Sequence, residues 1–317
     1  MDLRQVGQSD VFISPVGLGG VELGPLAGEE PDAPRAVTVI EAAIACGINW
    51  VDTSENYLHT KNESLIGEAL AQIDAEFVVA TKVAPGAAIS GGGSGFRREQ
   101  VHRACRESLR RLGRNTIDLY FLHWPDDTGV PLEETWDAMT ELIEEGLVRA
   151  IGLSNYSIDD IERCHAHRRV DVIQDGLNLV DYLDNRQLFA RCGELGIAGT
   201  VYDSLSSSVL TDRTREEVFA AWEVFSANGW NHPLLAPDKV ERTYSVVDAL
   251  RPVARRLGAT VAQVAIAWIL HQPGVTAALA GTSSPDRVRE NERGADLDLT
   301  PALEEIEQLI PLGPAFA

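Results

Sequence analysis

Short apolar runs rich in β-branched residues alternate along the chain with longer segments whose apolar positions recur every three to four residues. The runs are SPVGLGG (14–20), INWVD (48–52), FVVATK (77–82), IDLYFLH (117–123), VRAIGLSN (148–155), DVIQD (171–175), IAGTVY (197–202) and VTAALAG (275–281). Short, near-continuous apolar runs suit strands buried on both faces, as in a parallel sheet covered by helices. Between them, segments such as RAVTVIEAAIACG, ESLIGEALAQI, REQVHRACRESLRRLG and LEETWDAMTELIEEG carry helical spacing. Gly47, Gly113, Gly146 and Gly196 are placed to end helices in the left-handed conformation. Ser157, opening SIDDIERC with Asp160 three residues on, is placed to begin one.

Eight strand–helix units without a break in composition predict one (β/α)₈ barrel (TIM barrel) over residues 1–317. The rival is a doubly wound open sheet, which announces itself by a glycine-rich turn between first strand and helix. GLGGVELG (17–24) lacks the GxGxxG spacing, and no helical pattern follows it directly. Three segments fall outside the units. Residues 3–14 read as a β-hairpin turning near Gly7–Asp10 and placed to plug the barrel bottom. Residues 205–242 form a long excursion after the seventh strand, with Trp222 and Trp230. PALEEIEQLI (301–310) is a C-terminal helical pattern. The glycine-rich ISGGGSGF (89–96) is no phosphate loop, since no GK[ST] follows.

Charge narrows the function. With 48 acidic against 27 basic residues the net charge is −21, which disfavours nucleic-acid and anionic-membrane partners. No basic leader with an apolar run and no window approaching 18 uninterrupted apolar residues is present, so a cytoplasmic protein is expected. The cysteines, Cys46, Cys105, Cys164 and Cys192, are scattered without metal spacing and read as reduced thiols. No metal site is expected.

In a barrel of this kind chemistry gathers at the C-terminal ends of the strands. Those ends carry Asp52, Lys82, His123, Ser154–Asn155, Gln174 and Tyr202, with Tyr57 in the loop after Asp52. Taken alone, each has a plainer explanation: a capping aspartate, a solvated lysine, a core histidine, a packing tyrosine. Together four of them complement one another. A phenol with a free pKa of about 10 can protonate a developing alkoxide, but its conjugate base forms reluctantly near neutrality. A nearby ammonium stabilises that base, a carboxylate holds the ammonium in place, and an imidazole can orient a carbonyl oxygen. Asp52, Tyr57, Lys82 and His123 thus form a polarised acid, with no nucleophile–base pair for hydrolysis.

At this point the sequence resembles the aldo-keto reductase superfamily over nearly its whole length. The resemblance rests on DTSENY (52–57), ATKV (80–83), LHWP (122–125), IGLSNYS (151–157), IQDGLNL (173–179) and GTSSPDRVREN (281–291), in the family's order. It implies a TIM barrel that uses a nicotinamide cofactor without a Rossmann domain. By the same resemblance Tyr57 is the general acid, Lys82 and Asp52 tune it, and His123 orients the substrate. Ser154, Asn155 and Gln174 would hold the nicotinamide carboxamide and Tyr202 would stack on its ring. Ser204, Leu205, Gly281, Thr282 and Ser283 would contact the cofactor, with Arg287 on a 2′-phosphate and Glu290 and Asn291 on the adenine. Ser283 or Ser284 can cap the following helix, whose N-terminus favours phosphate.

The chain departs from the family pattern at Gly281, where some members carry a lysine, and at Leu177, often aromatic. It departs further in YDSLSSSVLTDR (202–213), where Asp203 would repel a pyrophosphate and is therefore expected to point away or pair with a cation. The preferred cofactor is NADP, with NAD left open. The substrate is expected to be a small-molecule carbonyl. Pocket walls are expected from Val21, Glu22, Leu58, Trp124 and the 205–235 loop. Glu22, Glu55 and His59 at the mouth point to a sugar or hydroxylated ketone. The alternatives are a cofactor-binding regulatory subunit of the same superfamily and a sugar dehydrogenase working in the oxidative direction. The oligomeric state is left open.

Overall fold

The structure is a computed structural model that describes residues 1–24, 32–58, 60–85, 95–126, 129–226 and 233–310. His59, Trp230 and most of the glycine-rich loop at 89–96 lie outside them. Among the described residues there are ten strands: β1 Arg4–Gln5, β2 Phe12–Ile13, β3 Val16–Gly19, β4 Trp50–Asp52, β5 Val78–Val83, β6 Ile117–Leu122, β7 Val148–Ser154, β8 Val172–Gly176, β9 Ala198–Tyr202 and β10 Val275–Gly281. The last eight pair in parallel and close into a barrel in sequence order, β10 returning to β3.

Helices follow the strands: α1 Ala33–Ala45, α2 Lys61–Leu70, α3 Arg98–Leu112, α4 Leu132–Glu144, α5 Ile158–His167 and α6 Asn185–Glu194. After β9 come α7 Arg215–Ser226, α8 Val240–Arg256 and α9 Val261–Leu270, then α10 Pro285–Glu292 and α11 Leu303–Leu309. The 205–242 excursion therefore contains α7 and the start of α8 rather than an unstructured loop. All four glycines expected to end helices have left-handed φ, from 65° to 80°. Ser157 accepts a hydrogen bond from the Asp160 amide at 3.2 Å. Among the described residues no single helix is long and apolar enough to cross a membrane.

Strand side chains alternate between two cores. Val51, Val79, Tyr120, Leu122, Ile151 and Ile173 face the helices. Trp50, Ala80, Leu119, Phe121, Ala150, Val172, Ala198 and Ala277 fill the barrel interior. This two-residue period makes Asp52, Lys82, Ser154 and Gln174 the topmost inward side chains of their strands, each two residues beyond an inward apolar or glycine position, with only Gly176 above Gln174. The barrel bottom is closed by the predicted hairpin, in which Arg4 pairs with Ile13 and Gln5 with Phe12. Val6, Val11 and Ile13 from it join the interior core and are fully buried. Trp50 reaches down to the same end. Its Nε1 donates to Ser14 O at 3.0 Å, and its indole takes the space a side chain on Gly17 would need.

The plug is remote from the upper rim, so Ile13→Ala should lower unfolding free energy by about 2–5 kcal/mol, the range for emptying a packed site. Urea denaturation measures the loss; kcat should stay at the parent value.

Candidate active site

The rim residues converge around Lys82. Its ammonium is buried, 1% exposed, and donates to Asp52 Oδ2 at 2.5 Å, to Thr53 O at 2.9 Å and to Tyr57 Oη at 3.3 Å. Three acceptors for three protons leave none unsatisfied. Gln174, expected at a carboxamide, donates Nε2 to the other Asp52 oxygen at 2.8 Å and so completes the carboxylate's shell. Burial pushes Lys82 down, but Asp52 and Tyr57 more than offset it and hold the ammonium above its ordinary value.

Tyr57 feels opposed effects. Lys82 does pull it down, yet burial is the larger effect, and Asp52 and Glu22 add to it. The phenol is held above its ordinary value and keeps its proton at neutral pH. His123 is pushed well below the ordinary imidazole value, first by burial and then by Lys82, so the ring is neutral. Its Nδ1 lies 3.0 Å from Ser54 Oγ, a partner the sequence did not single out because it lies inside the DTSENY stretch with no distinguishing feature of its own. The Tyr57 and His123 rings meet edge to face, centroids 5.7 Å apart.

Tyr202 is held at both ends. Its hydroxyl donates to Asn155 Oδ1 at 2.7 Å, and Asn155 Nδ2 donates to His123 O at 2.9 Å. Tyr182 meets the Tyr202 ring edge-on, centroids 6.0 Å apart. Ser154 is buried beside Asn155, whose Nδ2 donates to its Oγ.

From Asp52 and Tyr57 a groove of about 540 Å³ runs past Tyr202, Ser204 and Leu205 to Gly281 and Thr282, ending at Arg287, Glu290 and Asn291 on α10. Ser283 is exposed and does not line it. Ser284 occupies the N-cap position of α10, but its side chain makes no capping bond; its amide instead donates to Thr282 Oγ1 at 3.1 Å. The groove also takes in Arg213, which the sequence reading passed over. Burial and the like charge of Arg287 both depress the Arg213 guanidinium. Among the described residues neither arginine has an ion-pair partner, although Glu217 acts on Arg213 through its charge and Asp212, Glu217 and Glu290 line the same end, so the far end of the groove offers two guanidinium groups beside carboxylates. That end fits an anion, and with an aromatic ring at the other end the groove fits a dinucleotide.

Its middle is acidic. Glu22 lies against Gly281 and Gly19, where a side chain on Gly281 would meet its carboxylate. Asp203 does not point away and, among the described residues, has no ion-pair partner, contrary to expectation. It lines the groove in a left-handed backbone conformation, and its Oδ1 accepts from Ser207 N at 2.9 Å and Ser207 Oγ at 3.2 Å. Among the proposed mouth residues, Val21 and Glu22 line the groove, Leu58 packs on Gly24, and the Trp124 ring lies tilted against His123, centroids 3.9 Å apart. Glu55 turns inward, to Ala84 N at 2.9 Å.

Residues 15–309 match the model of the Aldo/keto reductase family. An NADH-specific methylglyoxal reductase of Escherichia coli (strain K12) is 29% identical over 315 residues, 94% of each chain. An aldo-keto reductase of Bacillus subtilis (strain 168) is 30% identical over 292 residues, 91% of this chain and 87% of that one. Among solved structures, the glycerol dehydrogenase of Gluconobacter oxydans superposes with a TM-score of 0.85 at 27% identity, covering 99% and 98% of the two chains. The holo form of an aldo-keto reductase from Bacillus halodurans gives 0.81 at 25%, covering 100% and 98%.

Asp203 allows a test of the groove's electrostatics. Burial lifts its carboxyl from 3.8 to about 7, against the Ser207 bonds and with help from Asp181 and Glu22. A folded-state pKa above the unfolded one means that ionisation destabilises the fold, increasingly as pH rises from about 4 to about 7. Asp203→Asn should therefore melt higher than the parent at pH 8, with the gap closing toward pH 4. Asp175, also lifted, to about 6, contributes equally to both proteins and cancels.

Proposed function

The chain belongs to the aldo/keto reductase family, a family of oxidoreductases, and from that premise we propose that it reduces an aldehyde or ketone with NADP, Tyr57 supplying the proton. The observation that carries this is the contact of the buried Lys82 ammonium with both Asp52 and Tyr57. When bound, the nicotinamide supplies the hydride; the protein's part is to move the proton. Tyr57 Oη, protonated at neutral pH, donates to the carbonyl oxygen as negative charge develops there. Lys82 stabilises the phenolate left behind, and Asp52, held by Gln174, keeps the ammonium charged and in place. We assign the tautomer in which Ser54 Oγ donates to His123 Nδ1, which places the imidazole proton on Nε2, a neutral donor for the same carbonyl oxygen. The same groups run in reverse for alcohol oxidation.

Arg213 and Arg287 favour a 2′-phosphate over a bare ribose, which supports NADP. The relative named as NADH-specific marks the competing choice. The acidic groove middle suits a small neutral or hydroxylated carbonyl as substrate.

Tyr57→Phe should lower kcat by about 10²–10⁴-fold, the usual weight of a positioned acid, with cofactor affinity changed less than about twofold. Full activity in that variant excludes Tyr57 as the donor. For the cofactor, Arg213→Ala with Arg287→Ala should raise KM for NADPH by roughly 10–100-fold, the equivalent of one charged hydrogen bond, and leave KM for NADH within about twofold. A parent enzyme that turns over faster on NADH overturns the NADP assignment.

A further inference from the structure

The Tyr57 phenol works only if it stays within reach of Lys82, yet it sits on the loop between β4 and α2. Its own backbone links are local: Tyr57 N donates to Ser54 O at 3.1 Å, and Asn62 N to Tyr57 O at 3.4 Å. The loop is tied to β5, the strand that carries Lys82, at Thr53, whose amide donates to Ala80 O at 2.8 Å, at Ser54, whose Oγ lies 3.4 Å from Lys82 O, and, two residues before Tyr57, at Glu55. The Glu55 amide donates to Lys82 O at 3.3 Å, and its carboxylate Oε1 accepts from Ala84 N at 2.9 Å. One residue thus grips β5 on both sides of Val83. The residue is 4% exposed, and its other carboxylate oxygen faces Arg111 Nη2 at 3.9 Å. Arg111 in turn donates Nε to Glu63 Oε2 at 2.6 Å, and Glu63 Oε1 accepts from Thr81 Oγ1 at 2.6 Å. The carboxylate is fixed by α2, α3 and β5 together.

We propose that Glu55 is a positioning residue that sets the separation of Tyr57 from Lys82 by clamping the β4–α2 loop across the end of β5. It touches neither substrate nor cofactor. The proposal rests on Tyr57 being the proton donor. An aspartate at this position keeps the charge but is shorter by one carbon, roughly 1.5 Å, and cannot reach the Ala84 amide. A glutamine loses the charge but keeps an Oε1 acceptor at the same reach. Reach and charge can therefore be separated, and a displacement of about 1 Å at a reacting group can cost on the order of 10²-fold in rate.

The test compares Glu55→Asp, Glu55→Ala and Glu55→Gln with Tyr57→Phe, measuring kcat against pH, KM for cofactor and melting temperature. Glu55→Asp and Glu55→Ala should each lose at least about tenfold in kcat, with KM for cofactor within about twofold. Their alkaline limb should move to higher pH, because a phenol farther from Lys82 loses the charge that pulls its pKa down. Glu55→Gln should keep kcat within about twofold of the parent and rescue the profile. Parental kcat and pH profile in Glu55→Asp or Glu55→Ala, even with a lowered melting temperature, overturn the clamp. So does a Glu55→Gln enzyme as impaired as those two. An active Tyr57→Phe removes the donor assignment itself, whereas an inactive Tyr57→Phe beside an unaffected Glu55→Asp removes only the clamp.

Discussion

An ammonium buried at the mouth of an apolar barrel is the constraint around which the upper rim is arranged. Lys82 has almost no contact with solvent, and removing one partner of such a pair costs about 3–5 kcal/mol because a charge is left buried and alone. The rim spreads that demand over several elements. Asp52 from β4 supplies the opposite charge, Thr53 a carbonyl, Gln174 from β8 the amide that satisfies the second carboxylate oxygen, and Tyr57 the third acceptor. Because Lys82 on β5, Asp52 with its following loop, and Gln174 on β8 come from three parts of the barrel, the full set of bonds needs these strands in this register. The same arrangement leaves Tyr57 as the one partner that is partly exposed to the groove.

The groove beyond it is built against its own charge. Arg213 and Arg287 offer cations at one end, while Glu22 and Asp203 put carboxylates in the middle. Local backbone strain marks the same region. Asn155, Tyr182 and Asp203, which surround Tyr202, all adopt left-handed φ, as do Ser206, Ser207 and Ser208. Such conformations in residues other than glycine cost of order 1 kcal/mol each and persist where neighbouring contacts hold them. Here the contacts are visible: Asn155 bridges His123 and Tyr202, and Asp203 is tied to Ser207. The strain holds the aromatic wall in place while the serine run turns the chain without a glycine.

The barrel was legible because buried parallel strands leave near-continuous apolar runs, and the inward rim residues follow from a two-residue period counted up from Trp50, Ala80 and Phe121. The chemistry of Asp52, Tyr57, Lys82 and His123 was legible because the four groups complement one another. What the sequence could not show were the orientations of long side chains. Glu55 reads as a mouth residue by position and turns inward to meet Ala84 and Arg111. Gln174 meets Asp52, Asp203 stays in the groove, and Arg213 arrives there from a segment whose sequence gives only a loop. The pull of Lys82 on Tyr57 was legible because charge is countable from sequence, whereas the larger upward effect of lost hydration depends on the packing around the ring.

The central claim is that the Lys82 ammonium, and not burial, is what brings the Tyr57 proton within reach of chemistry. Ultraviolet difference titration of tyrosinate measures this directly, with Tyr57→Phe subtracted to isolate one phenol among six. In the cofactor-free protein the Tyr57 signal should titrate above the ordinary phenol value, and in Lys82→Met it should move higher still. A Tyr57 titration that is unchanged or lowered by Lys82→Met contradicts the account.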